Sequence, residues 1–162
     1  MDTKKILDRD NKPTSELQRT VTKKYKGITL SYTEVYYLDY DVDEESGMIN
    51  RDRKVEFYTK DQVERNLTSL KNSYMIAMGS ASPKEIIEFR TKYHIPASIL
   101  SKILGFSKNT ISNIENHGMT SLSTGRLIKM CIQDRKTLRR FVEICDDIDI
   151  NKKKELSISL SQ

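Results

Sequence analysis

From Ser107 to Gly118 the chain reads SKNTISNIENHG, where nearly every non-apolar side chain is a hydroxyl, an amide or a lysine. Ser107, Lys108, Asn109, Thr110, Ser112, Asn113 and Asn116 offer donors and acceptors, while Ile111 and Ile114, three apart, suit a core. General acid–base or nucleophilic chemistry needs shifted titratable groups in a concave site, and this stretch does not supply them. It suits the edges of base pairs instead. Asn can bond adenine N6 and N7 together, Lys can reach guanine O6 or N7, and Ser is less selective. In a major groove the exposed N-terminal residues of such a helix come nearest the bases: Lys108, Asn109, Ser112 and Asn113, with Thr110 near the backbone. For the two asparagines the bland alternative is helix capping or solvation. Glu115 is expected to be structural, bonding a neighbouring helix or an Arg.

Those residues need a frame, and IPASILSKILGFSKNTISNIEN, residues 95–116, has one. Leu100 and Leu104 make an apolar stripe on a first helix, and Ser101 is small where two helices must cross. Gly105 permits a tight turn, Phe106 plugs the core, Ser107 caps the second helix, and Ile111 and Ile114 bury its inner face. This is the grammar of a helix-turn-helix; the competing possibility is an ordinary pair of core helices. Ile99 and Ile103 share a second face at i, i+4, suited to the same domain, the other domain or a partner subunit.

The chain has 162 residues, 36% hydrophobic and 31% charged, enough for one domain or two small ones. Its net charge of +5 is unevenly spread: residues 1–83 hold 14 basic and 14 acidic side chains, and residues 84–140 hold 11 and 4. A basic segment beside a neutral one points to an anionic partner for the former. No apolar run approaches the roughly 20 residues that span a bilayer. With no signal-peptide core, a cytoplasmic protein is expected. Cys131 and Cys145 suit small buried hydrophobes rather than a disulfide framework or a zinc site. His94 and His117 lie at a helix end and a turn, with no metal expected on them. No nucleophile–His–acid set and no glycine-rich phosphate loop can be assembled, so an enzyme is not expected, and no cofactor.

Residues 1–20 are polar and aperiodic and are read as a mobile arm. Ile28, Leu30, Tyr32, Tyr36 and Leu38 alternate as in a strand, with Lys26-Gly27 as a hairpin turn before it. A polar loop, Gly47 to Arg53, leads to a second β-like run, Val55 to Tyr58. Thr59 then caps a helix with Val63, Leu67, Leu70 and Tyr74 at helical spacing, ending near Gly79. Gly79-Ser80-Ala81 is the best domain boundary. Ser82-Pro83-Lys84-Glu85 follows, with Ser at N-cap, Pro at N1 and Glu at N3. Beyond it the chain is helical in period, with breaks at Ile95-Pro96, Gly105, Gly118 and Gly125. Leu127, Ile128, Cys131, Leu138, Phe141, Val142 and Cys145 supply core stripes and a candidate dimer seam; Lys152-Lys153-Lys154 reads as solvated tail. The expected fold class is α+β. A small N-terminal β-hairpin or sheet plus helix domain (21–79) precedes an all-α helix-turn-helix domain of XRE/Cro-like type (82–148), with a polar tail over 149–162.

Ser82 to Val142 resembles the helix-turn-helix half of the MqsA-type (YgiT-type) antitoxins. The resemblance rests on EIIEFRTKYHIPASILSKILGF, then N..SNIEN, then SLSTGRLIKM, Ser121 to Met130. It extends less firmly to YKGITLSYTEVYYLDYD, EESG and EFYTKDQ. The resemblance implies a toxin-engaging N-terminal domain and a C-terminal domain that binds operator DNA as a homodimer. It places Asn109 as the asparagine that opens the recognition helix; Asn113 stands where some members have Arg. The family's N-terminal zinc, held by two Cys-x-x-Cys pairs, has no counterpart, since residues 1–83 contain neither Cys nor His. Tyr25, Tyr32, Tyr36, Tyr37, Tyr40 and Phe57 would supply that core instead.

Asp39, Asp41, Asp43, Glu44 and Glu45 cluster beside these aromatics. Tyr36, Tyr40, Asp41, Asp43 and Glu44 are the candidate partner contacts, docking a basic toxin by complementary charge; the bland alternative is a solvated hairpin loop. The expected function is a type II antitoxin that neutralises a toxin and represses its own operon. The alternative is a stand-alone helix-turn-helix transcriptional regulator.

Overall fold

A computed structural model of the chain describes residues 5–162. It divides into two units, one ending at Lys71 and the other running Asn72–Gln162.

In the first unit, β1 (Ile6–Leu7) and β2 (Pro13–Thr14) pair antiparallel across a turn that Asp8 organises. Its Oδ1 accepts the amide hydrogens of Asp10 and Lys12 at 2.9 and 2.8 Å, while Asn11 takes a left-handed φ of 58°. A short carboxylate that captures nearby backbone donors holds such a turn closed. The polar stretch over 5–20 is therefore a built hairpin and the start of a strand, in place of a mobile arm; residues 1–4 of that arm lie outside the described residues.

Next come β3 (Leu17–Tyr25), β4 (Ile28–Val42) and β5 (Ile49–Phe57), antiparallel in the order β3-β4-β5. Tyr25 pairs with Ile28 around Lys26-Gly27, whose φ values of 47° and 85° are those of a two-residue hairpin turn. Leu30 and Tyr32 are buried by the alternation. β5 begins at Ile49, so much of the expected polar loop is strand. Its charged side chains suit an edge strand whose ladder is supplied by β4. That ladder jumps from Tyr40–Lys54 to Asp41–Asn50.

α1 (Lys60–Ala77) starts with a reciprocal cap: Thr59 Oγ1 accepts from the Gln62 amide, and Gln62 Oε1 accepts from the Thr59 amide. Asn66 clamps Val35 of β4, accepting its N–H at 2.8 Å and donating to its carbonyl at 2.9 Å. The apolar stripe is only partly used. Leu70 is buried, but Val63 and Leu67 are 53% and 47% exposed.

The second unit begins within the last turns of α1. Asn72 accepts the Met119 amide hydrogen at 2.8 Å, and Met75 packs on the helical core. Ser80 and Ala81 are buried, and the Ala81 amide donates to the Gly125 carbonyl. The junction at Gly79–Ala81 is thus part of the helical unit, and the division falls at Lys71/Asn72.

The helices are α2 (Pro83–Tyr93), α3 (Ala97–Ile103), α4 (Thr110–His117), α5 (Leu122–Gln133), α6 (Arg135–Ile144) and α7 (Ile150–Ser159). The Ser82–Glu85 capping box opens α2, and Ser121, Asp134 and Asp149 cap α5, α6 and α7. Ile86, Leu100, Ile111, Ile114, Ile128, Leu138, Val142, Leu156 and Leu160 form one core. Cys131 and Cys145 are free and buried, and burial pushes the Cys131 thiol up to about 11.

Two expectations change here. Gly125 does not break a helix: it lies inside α5, where a Cβ would come within 1.9 Å of Ser80 Oγ. Residues 149–162 are not a solvated tail, because α7 buries Leu156 and Leu160 at i, i+4. The molecule is α+β, with its strands before its main helices.

Candidate nucleic-acid interface

Leu100, Ile103 and Leu104 seat α3 in the core, and Ile99 packs against it from the rim. Between α3 and α4 the chain turns at Gly105, whose φ of 75° an L side chain rarely adopts. The Phe106 amide returns to the Ser101 carbonyl at 2.8 Å, and its ring lies against the core. Ser101 is fully buried. Its hydroxyl donates to the Ala97 carbonyl and accepts the Ile111 amide hydrogen, both at 3.0 Å. One small side chain thus pins the first turn of α4 to the middle of α3.

Two further anchors hold α4. Ile111 and Ile114 are completely buried. Arg90 of α2 donates to Glu115 through Nε (2.6 Å) and Nη2 (2.8 Å), and through Nη1 to the Ile95 carbonyl. Glu115 has the structural part expected of it. Arg90 was not legible from the sequence as that partner, because a helix-to-helix contact 25 residues away has no local signal.

The helix begins later than the sequence suggests. Ser107 is not the cap; its hydroxyl meets Thr110 Oγ1 at 2.8 Å, and Asn109 holds the N-cap position with no side-chain capping bond. Lys108 and Asn109 form the turn before the first helical residue, Thr110. Lys108, Asn109 and Asn113 are exposed, and Ser112 is half-buried. Among the described residues no hydrogen bond engages the side-chain amide of Asn109 or Asn113; the Asn113 backbone N–H donates to the Asn109 carbonyl at 2.9 Å. Asn116 is different: its Nδ2 turns back to the Ser112 carbonyl at 2.9 Å, one turn earlier. Lys108 and Asn109 in the turn before α4, and Ser112 and Asn113 in its first turn, therefore lie together at its N-terminal end, while its inner face is fixed.

Four of the five candidate partner residues of the first unit, Tyr36, Tyr40, Asp41 and Asp43, meet other residues of that unit. Tyr36 lies under the Arg19 guanidinium (4.7 Å), and Tyr40 beside Arg51 (5.6 Å) and Lys54 (5.0 Å). Asp41 sits 3.6 Å from Arg53. Asp43 accepts from the Ser46 and Glu45 amides and the Ser46 hydroxyl. The Ser46 amide is the main reason its carboxyl is held below its ordinary value. Asp39 is buried, taking the Arg9 and Tyr40 amide hydrogens. Glu44 stays exposed. The tyrosines do not close a core: of those named, Tyr32 is buried and the others stand half-buried, several of them under cations.

The chain matches no family model, no curated protein and no solved structure. What it can do must be argued from its own geometry. Among the described residues no group of three or more His, Cys, Asp or Glu side chains is placed to hold a metal. No helix among them is long and apolar enough to cross a membrane.

Proposed function

We propose that this chain is a sequence-specific DNA-binding protein in which α3 and α4 form a helix-turn-helix and α4 enters the major groove. A single observation carries this reading. Among the described residues the side-chain amides of Asn109, at the N-cap of α4, and Asn113, in its first turn, make no hydrogen bond, while Ser101, Ile111, Ile114 and Glu115 fix that helix. A rigid helix with free bidentate amides is suited to discriminate adenine, and Lys108 and Ser112 extend the reach to neighbouring bases. Asn116, turned back on its own helix, supports the helix rather than reading a base.

For the first unit the resemblance to MqsA-type antitoxins supports a toxin-neutralising role, with the chain repressing its own operon as a homodimer. One observation favours the stand-alone regulator instead: Asp39, Asp41 and Asp43 are engaged inside the unit, which leaves Glu44 as the acidic member of the candidate set with no hydrogen bond or ion pair among the described residues. Co-expression with a small basic protein encoded beside it separates the two. A stable co-purifying pair supports the antitoxin, and its absence supports the regulator.

The DNA reading is tested by a gel-shift titration on the duplex upstream of the gene, with a scrambled duplex as competitor. Asn109→Ala with Asn113→Ala should erase the preference for the upstream duplex while leaving salt-sensitive, indiscriminate binding. Unchanged discrimination would remove α4 as the reader.

A further inference from the structure

In α6, RKTLRRFVEI, Leu138 and Val142 face the core, while Arg135, Lys136, Arg139 and Arg140 crowd the remaining surface. Arg135–Arg139 and Lys136–Arg140 are like-charged i, i+4 neighbours, an arrangement that destabilises a helix. Among the described residues none of the four joins an ion pair. Lysines elsewhere do find carboxylates along their own helices, as Lys84 does at Glu88 and Lys152 at Glu155. The Nε of Arg139 is buried with no hydrogen-bond partner, the sole such side-chain atom among the described residues. Beside it lies a recess of about 200 Å³ lined by Lys136, Arg139, Arg140 and Glu143. At the start of α6 a second recess, about 290 Å³, is bordered by Lys92, Tyr93, His94 and Arg135. There Lys92 and Arg135 lie 5.3 and 5.8 Å from the Tyr93 ring.

We propose that this cationic ridge, Lys92 and Arg135 to Arg140, is a second nucleic-acid site that grips phosphodiester backbone. It rests on the chain being a nucleic-acid binder but not on α4 being the reader. Guanidinium groups match phosphate oxygens bidentately, and a polyanion would offset the mutual repulsion along α6. A protein partner would call for an apolar centre to the contact. Of the exposed side chains of α6, Lys136, Arg140 and Glu143 are charged, and Ile144 at the far end of the helix is a single apolar residue rather than an apolar centre. The backbone has two sources: the flank of the duplex that α4 reads, or a separate RNA strand.

The test is fluorescence anisotropy of the full chain with the upstream duplex, a scrambled duplex and a single-stranded RNA of equal length, across a salt series. Arg135→Gln, Lys136→Gln and Arg140→Gln together should weaken backbone binding about tenfold and flatten the log K against log salt slope by about 2. Loss on both duplexes assigns the flank, and loss on RNA alone assigns a separate strand. Lys136→Arg with Arg140→Lys keeps the charge and should bind as wild type. If the triple variant fails to fold by circular dichroism, Lys136→Gln with Arg140→Gln, both exposed, serves in its place with a slope change of about 1.5. A folded variant with unchanged affinity and slope on all three probes overturns the ridge. So does binding of polyglutamate by a wild type that ignores nucleic acid, which would point to an acidic protein. Equal wild-type affinity for the two duplexes, both weakened by the ridge variant, keeps the ridge and removes α4 as reader. Discrimination lost in Asn109→Ala, Asn113→Ala with the ridge variant unaffected does the reverse.

Discussion

Ser101 shows how much one hydroxyl decides. Its size is legible in the sequence, since only a small residue suits a close helix crossing. Its bonds are not, because the Ile111 amide it satisfies lies ten residues on, across a turn. Ser101→Ala keeps the packing but leaves a buried donor without a partner, which costs about 1–3 kcal/mol. Urea unfolding of the two proteins measures that loss, and equal midpoints would mean the bond contributes nothing. The asparagines divide in a similar way. Their suitability for base edges follows from residue type, but that Asn109 and Asn113 stay free while Asn116 folds back depends on where α4 starts.

Elements were legible where local signals agree. The Ser82-Pro83-Glu85 start, the Lys26-Gly27 turn and the Thr59 cap all rest on contacts within three residues, so the sequence contains them whole. Elements sustained by distant contacts were not. α7 carries three consecutive lysines, and only Leu156 and Leu160 signal a core side. Leu156→Ala should therefore cost about 2–5 kcal/mol in denaturant unfolding, as for other buried leucines; a loss under 0.5 kcal/mol would return residues 149–162 to a surface tail. In α1 the helical spacing of Val63, Leu67 and Leu70 holds, yet Leu70 alone of the three is buried. Periodicity names the apolar face, but not how much of it is covered.

Across the helical unit, acid sensitivity follows from a bridge between elements. Glu85 of α2 accepts from Lys129 of α5 and from the Ser82 amide, and these bonds, Lys129 first, hold its carboxyl below the ordinary value of 4.5. A lowered carboxyl contributes stability above its unfolded pKa and loses it as pH falls through the folded one. Thermal melts should show the wild-type midpoint dropping below about pH 4.5, with Glu85→Gln starting lower at neutral pH and falling less. Parallel curves would place the acid response elsewhere. Composition, charge asymmetry, the Ser82 and Thr59 caps, the Lys26-Gly27 turn and the polar character of α4's outer face were determined by the sequence alone, because each depends on residue type or on neighbours within a few positions. The tertiary structure alone decided that Arg90 holds Glu115, that Gly125 makes room for Ser80, and that Asp39, Asp41 and Asp43 beside the tyrosines are spent internally. It also decided that the cations of α6 join no ion pair among the described residues. Such outcomes turn on which distant side chains meet, and no local pattern encodes that meeting.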